Sequence, residues 1–191
     1  MCRESFLLPL YLFLLVIFTP TPVSGHGGDN KEEKDATDRA QRATVICVVV
    51  LFFKVLITLI IQGGKKTEAG TRPPEDSKLG MGIQGFAPDT RHSDGVLVTE
   101  SSDAHLRWER IVANDIENIP IGCLVVLAAL LTAKSAEAHS AFIYLFAIFR
   151  VIHTVVYAHK LQPWRSLTWF GGVFSVAGLA LNGLAGALDG Y

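Results

Sequence analysis

Cysteine is scarce in this chain, and positive and negative charges nearly cancel. Only three cysteines, Cys2, Cys47 and Cys123, occur in 191 residues. All lie in or beside apolar runs, with no paired spacing and no Cys/His cluster that could grip zinc. A disulfide scaffold and a structural metal centre are therefore excluded. Charged residues make up 18% of the chain and leave a net charge of −1. With no basic surplus to draw a phosphate backbone, nucleic acid is excluded as the main partner. What the chain has in abundance is apolar: hydrophobic residues form 50% of it and the mean hydropathy is +0.35, too apolar for a water-soluble globule of this length.

The apolar residues fall in blocks. Arg3 precedes a run over residues 6–18, followed by Thr19-Pro20-Thr21-Pro22 and the small residues of Val23-Ser24-Gly25. Residues 1–25 read as a secretory signal peptide, with an uncleaved signal anchor as the alternative. Residues 26–43 are polar and show no period that could bury a face, which predicts a lumenal lead-in without regular structure. Residues 44–191 hold four segments of membrane length, at 44–61, 105–133, 139–158 and 168–188. Each is long enough to cross a hydrocarbon core of ~30 Å. The predicted fold is an all-α, integral membrane four-helix bundle with a long loop over 62–103.

Loop charges give the topology. With the N-terminus delivered to the lumen, that side holds Lys31, Lys34, Arg39, Arg42 and Lys134. The other holds Lys65, Lys66, Arg72, Lys78, Arg91, Arg107, Arg110, Lys160 and Arg165. The larger set lies on the cytosolic side, so the first loop is expected to be cytosolic. It is either a lid or a loose linker.

Charge inside a bilayer costs at least ~2.5–3.5 kcal/mol per residue, so such residues face a bundle interior or a wet cavity. At about 100° per residue, Arg107, Arg110, Asn114 and Glu117 fall at about 0°, 300°, 340° and 280° on the second helix, one face of roughly 80°. Arg150, His153 and Tyr157 form a similar stripe on the third. Arg107 is either part of a site or an end residue snorkelling to headgroups. Arg150 lies too deep to snorkel and requires an anionic partner, either Glu117 or a ligand. His153 alone reads as an interior histidine, and Lys54 as a member of a helix–helix ion pair. Together these residues predict a cationic, hydrogen-bonding pocket with apolar walls, suited to an anionic polar ligand beside a lipophilic one.

The run Arg110-Ile111-Val112-Ala113-Asn114-Asp115-Ile116-Glu117-Asn118-Ile119 closely resembles the second-helix motif of the membrane-associated proteins in eicosanoid and glutathione metabolism: Arg, three residues, then Asn-Asp-Leu-Glu-Asn-Ile. Arg150-Val151-Ile152-His153-Thr154-Val155-Val156-Tyr157 resembles the family's Arg-x-x-His-Thr-x-x-Tyr. Pro163-Trp164-Arg165-Ser166-Leu167 resembles its Pro-x-Arg-x-Leu, and Pro74-Glu75-Asp76 recurs in its first loop. The likeness spans about 44–188 and is nearest the microsomal glutathione transferase branch.

That resemblance implies a homotrimer in the endoplasmic reticulum or a related secretory membrane, with glutathione as co-substrate, no metal, and a lipophilic electrophile drawn from membrane lipid. It implies glutathione-binding roles for Arg107, Arg110, Asn114, Glu117, Arg150 and His153. Arg165 and Tyr157 are the implied catalytic pair. The implied activity is glutathione transfer or peroxidase turnover; a glutathione-dependent prostaglandin E synthase-type isomerase and a non-enzymatic lipid-presenting scaffold are the alternatives. Three departures stand out: Val112 where the transferase branch often has His, a longer first loop, and the N-terminal signal.

Overall fold

The computed structural model describes residues 29–82, 84–85 and 100–189. Its elements are α1 (Asp29–Glu68), a 3-10 segment (Pro74–Leu79), α2 (Glu100–Thr132), α3 (Ala136–Ala158) and α4 (Trp164–Asp189), with no strand among the described residues. All four helices are long and apolar enough to cross a membrane. The expected all-α membrane bundle is the fold present, and the chain is a multi-pass membrane protein. The signal peptide expected at 1–25 lies outside the described residues.

Two expectations about connections change. The polar stretch before residue 44 is helical from Asp29 onward, because α1 runs unbroken for 40 residues. At ~1.5 Å per residue that is about 60 Å, twice the hydrocarbon thickness, so its polar first turns stand outside the apolar layer. A helix out there needs a buried stripe to hold it. Ala36, Ala40, Ala43, Thr44, Cys47 and Leu51 supply one at helical spacing, all buried. The loop is also shorter than 62–103, since α1 continues to Glu68 and α2 begins at Glu100.

The start of that loop is folded rather than loose. Gln84 is buried. Its amide donates to the carbonyls of Thr67 (3.2 Å) and Met81 (2.6 Å), and its backbone N–H donates to Ser77 Oγ at 2.9 Å. Arg72 pairs with Asp76 at 2.9 Å across one turn. Gly80, in the left-handed region at φ 75°, closes the 3-10 segment.

The helices alternate in direction. Thr44 Oγ1 meets His139 Nε2 at 2.9 Å and Lys66 lies 3.9 Å from Glu109. Lys134 pairs with Asp189 at 2.7 Å. The interior is built by Ala43, Cys47 and Leu51 of α1, Ile119, Val126 and Ala129 of α2, Ile143, Phe146 and Ala147 of α3, and Leu179 of α4.

The α2–α3 turn is clipped onto α4. Ser135 caps α3 by accepting from Ala138 N–H at 3.1 Å. The Asn182 carboxamide accepts from Ser135 N–H at 3.1 Å and donates to Ser135 O at 2.9 Å. Gly183 makes the approach possible: a Cβ there would lie 2.8 Å from Ala129 Cα. Asn182→Ala leaves the Ser135 N–H unpaired, while the Ser135 carbonyl keeps the bond from His139 N–H at 3.1 Å, and should cost about 1–3 kcal/mol. A lower thermal midpoint of the detergent-solubilised protein is the expected reading, and an unchanged midpoint would remove the clip from the account.

Candidate active site

The interior face of α2 decides the site. Ile111, Val112, Asp115, Ile119 and Val126 are buried and share one stripe at three- and four-residue spacing. On the same wheel, its centre lies near ~90°, with Arg107 at about 0°. Burial therefore falls off along the predicted polar arc. Arg107 and Asn114 are half-buried, whereas Arg110 and Glu117 are exposed.

The partner of Arg150 is consequently Asp115, in place of the Glu117 or ligand expected for it. Glu117 lies about 200° around α2 from Asp115, on the far side of the helix. Arg150 Nη2 donates to Asp115 Oδ1 at 3.1 Å and to Asn114 Oδ1 at 2.6 Å, with a longer contact to the Asn114 carbonyl at 3.4 Å. The other Asp115 oxygen, Oδ2, accepts from Lys54 Nζ of α1. The side chains of Arg150 and Asp115 are 1% exposed, and that of Lys54 is 9%. Lys54 is the helix–helix ion-pair member the sequence suggested.

The column continues toward the Ala158 end of α3. His153 is buried. Its Nδ1 lies 3.1 Å from the Arg165 carbonyl and 3.2 Å from Thr168 Oγ1. A carbonyl only accepts, so Nδ1 carries the proton and donates. His153 Nε2 and Arg150 Nε are buried without a hydrogen-bond partner among the described residues. The Tyr157 ring meets His153 edge-on at 5.7 Å between centroids. The Arg165 guanidinium lies over the Tyr157 ring at 4.7 Å, a cation–π contact.

The structure therefore brings Asn114 to Arg150, and His153, Tyr157 and Arg165 to one another, the two groups one turn apart along α3 within a single protomer. It leaves Arg107, Arg110 and Glu117 without an ion pair among the described residues, on the outward arc of α2. Sequence reasoning passed over Asp115 and Thr168 and left Lys54 outside the site. A signal for Asp115 existed: two deep cations, Lys54 and Arg150, require an interior acid, and Asp115 is the acid in the motif whose wheel position faces the core.

No cluster of His, Cys, Asp and Glu that could hold a metal occurs among the described residues. The chemistry available is that of oriented cations, amide donors and a phenol in a membrane bundle. Such an arrangement fits an anionic ligand whose charge develops near Arg165 and Tyr157.

A four-helix membrane protein with a buried Lys-Asp-Arg-Asn knot and an Arg–Tyr stack at one end defines a narrow class. Compared with family profiles, residues 42–185 match the MAPEG family, and the chain belongs to it. Compared individually with curated proteins, it matches none.

Proposed function

We propose that this chain is a membrane-bound glutathione transferase of the secretory membrane system that also turns over lipid hydroperoxides with glutathione. The observation that carries the reading is the Arg165 guanidinium seated over the Tyr157 ring, held by the His153–Arg165 carbonyl bond one turn along α3 from the Arg150–Asn114 pair. In this reading Arg165, assisted by Tyr157, stabilises the glutathione thiolate. Asn114 donates to a carboxylate of the tripeptide, with the buried Arg150 holding it from behind and His153 and Arg107 beside it.

Free cysteine has a pKa near 8.5, so only a few per cent is thiolate at neutral pH. Lowering it by about 2 units takes ~2.7 kcal/mol of preferential anion stabilisation, within the reach of one or two well-placed donors. The thiolate then displaces a leaving group from a lipophilic electrophile, or attacks a peroxide oxygen and releases the alcohol. In the second case the sulfenate takes a proton from solvent, and another glutathione thiol converts the sulfenic acid to disulfide and water.

Arg110 and Glu117 bear on quaternary structure. They are exposed on α2 beside exposed Ile116, Ile121 and Leu124, and ionised groups facing lipid are costly. A second protomer covering that face removes the cost, which favours a homotrimer with each glutathione bound between subunits. Glu117 then holds the glutathione ammonium and Arg110 a carboxylate.

Glu117→Ala is expected to weaken glutathione binding at least tenfold by calorimetry in detergent while kcat at saturation changes little. Unchanged affinity with a lower kcat would overturn the ammonium-holding role. Product analysis with an endoperoxide substrate and a haloarene separates the transferase from an isomerase that regenerates the thiol. Absence of glutathione binding by the wild-type protein would overturn the enzyme reading and leave a lipid-presenting scaffold.

A further inference from the structure

We infer that Lys54 is a positioning residue for the glutathione site: by occupying one oxygen of Asp115 it keeps Arg150 on Asn114, which turns the Asn114 amide N–H2 outward as a donor for a ligand carboxylate. The inference rests on the proposed glutathione reading and deepens it.

Chemical direction fixes the Asn114 side chain. A guanidinium has only donors, so the Asn114 atom 2.6 Å from Arg150 Nη2 must be the carboxamide oxygen. The amide nitrogen then points the other way along the side chain, with two hydrogens and no acceptor among the described residues. Asn114 is half-buried at the border between the interior stripe and the exposed arc that carries Arg110 and Glu117.

What holds Arg150 in that pose is the division of Asp115. Oδ2 is taken by Lys54 Nζ and Oδ1 by Arg150 Nη2. Arg150 Nε meanwhile is buried without an acceptor. A carboxylate with both oxygens free takes an arginine through two parallel N–H bonds, the geometry that Arg and Asp favour. Lys54 Nζ on Oδ2 blocks that alternative. Without the Lys54 cation, Asp115 captures both Nε and Nη2 of Arg150, the guanidinium leaves Asn114, and the carboxamide is free to turn its oxygen toward the ligand. An oxygen there repels a carboxylate. A side chain on α1 thus sets the polarity of a group on α2.

Lys54→Met suits the test because it leaves a neutral Asp115–Arg150 pair in the interior. Steady-state kinetics of the full-length protein in detergent, with glutathione varied against 1-chloro-2,4-dinitrobenzene, should give a KM for glutathione raised at least tenfold with kcat changed less than threefold. Lys54→Arg should bring KM back to within threefold of wild type. A merely structural role would lower kcat through a smaller active fraction and leave KM alone, which would overturn the inference. Asn114→Asp keeps an acceptor for Arg150 while removing the two outward donors, so it tests the same claim without opening the ion pair. It should raise the glutathione KM at least tenfold, and an unchanged KM would also overturn the inference. Wild-type protein that does not bind glutathione sinks the proposed function and this inference together. Wild type that binds, with Lys54→Met binding equally well, sinks this inference alone.

Discussion

Replacing Arg165 with leucine abolishes the ultraviolet thiolate signal that glutathione gives on binding and lowers kcat about 10²–10³-fold, the usual loss for one preorganised donor to a developing anion. The geometry makes Arg165 a clean target. Its backbone carbonyl, not its side chain, receives the His153 Nδ1–H bond at 3.1 Å, and Thr168 Oγ1 donates to that carbonyl at 3.0 Å. The first turn of α4 therefore keeps its anchors in the variant, and only the cation is lost from above the Tyr157 ring. Tyr157→Phe retains the ring on which the guanidinium rests and loses the hydroxyl, so its effect is expected to be about tenfold smaller in kcat. Binding of glutathione to Arg165→Leu, followed by calorimetry, should fall less than turnover does. A full thiolate signal in Arg165→Leu would transfer the catalytic role elsewhere in the column.

The largest effect on stability belongs to Asp115→Ala. Two cations then remain in a membrane interior with no anion, because the side chains of Lys54 and Arg150 are buried around that one carboxylate. Removing one partner of a buried ion pair typically costs about 3–5 kcal/mol. Folding stability is often only about 5–15 kcal/mol, so the loss takes from about a fifth to all of the margin. The expected outcome is a protein that leaves detergent extracts as aggregate, with no monodisperse peak in size exclusion. Lys54→Met, Asp115→Leu and Arg150→Met combined should restore the peak, since well-packed apolar side chains replace buried ion networks at little or no cost. That triple variant should still fail to bind glutathione. Recovery of fold without recovery of binding assigns the network to function; recovery of both would assign it to packing alone.

These two outcomes concern residues that were unequally visible in the sequence. Arg165 stood out through its place in a Pro-x-Arg-x-Leu run after the third span. Asp115 sits inside the most recognisable motif of the chain and was still passed over in favour of Glu117, because the polar arc was drawn around Arg107, Arg110, Asn114 and Glu117. The arc is real, but it marks the edge of the buried face rather than its centre. Burial declines from Asn114 to Glu117 as the wheel turns away from Ile111 and Ile119. His153 followed the bland expectation of an interior histidine, and the structure adds its partners: the carbonyl of Arg165 and the hydroxyl of Thr168. The polar stretch ahead of the first span hides its helix in the sequence for a related reason. Its interior stripe uses Ala36 and Ala40, and alanine at helical spacing gives little contrast against charged neighbours.

By itself the sequence determined where the chain crosses the membrane, which residues are too polar to face lipid, and which of them share a helix side. Those properties follow from hydropathy, length and a period of 3.6, all local to one helix. Tertiary structure alone decided how far each helix is rotated about its axis, and so whether Asp115 or Glu117 meets Arg150 and which cation completes the pair from α1. That choice rests on packing between helices, at Ile119, Phe146 and Leu51 among others, where a rotation by two residues, about 200°, exchanges an interior carboxylate for an outward one.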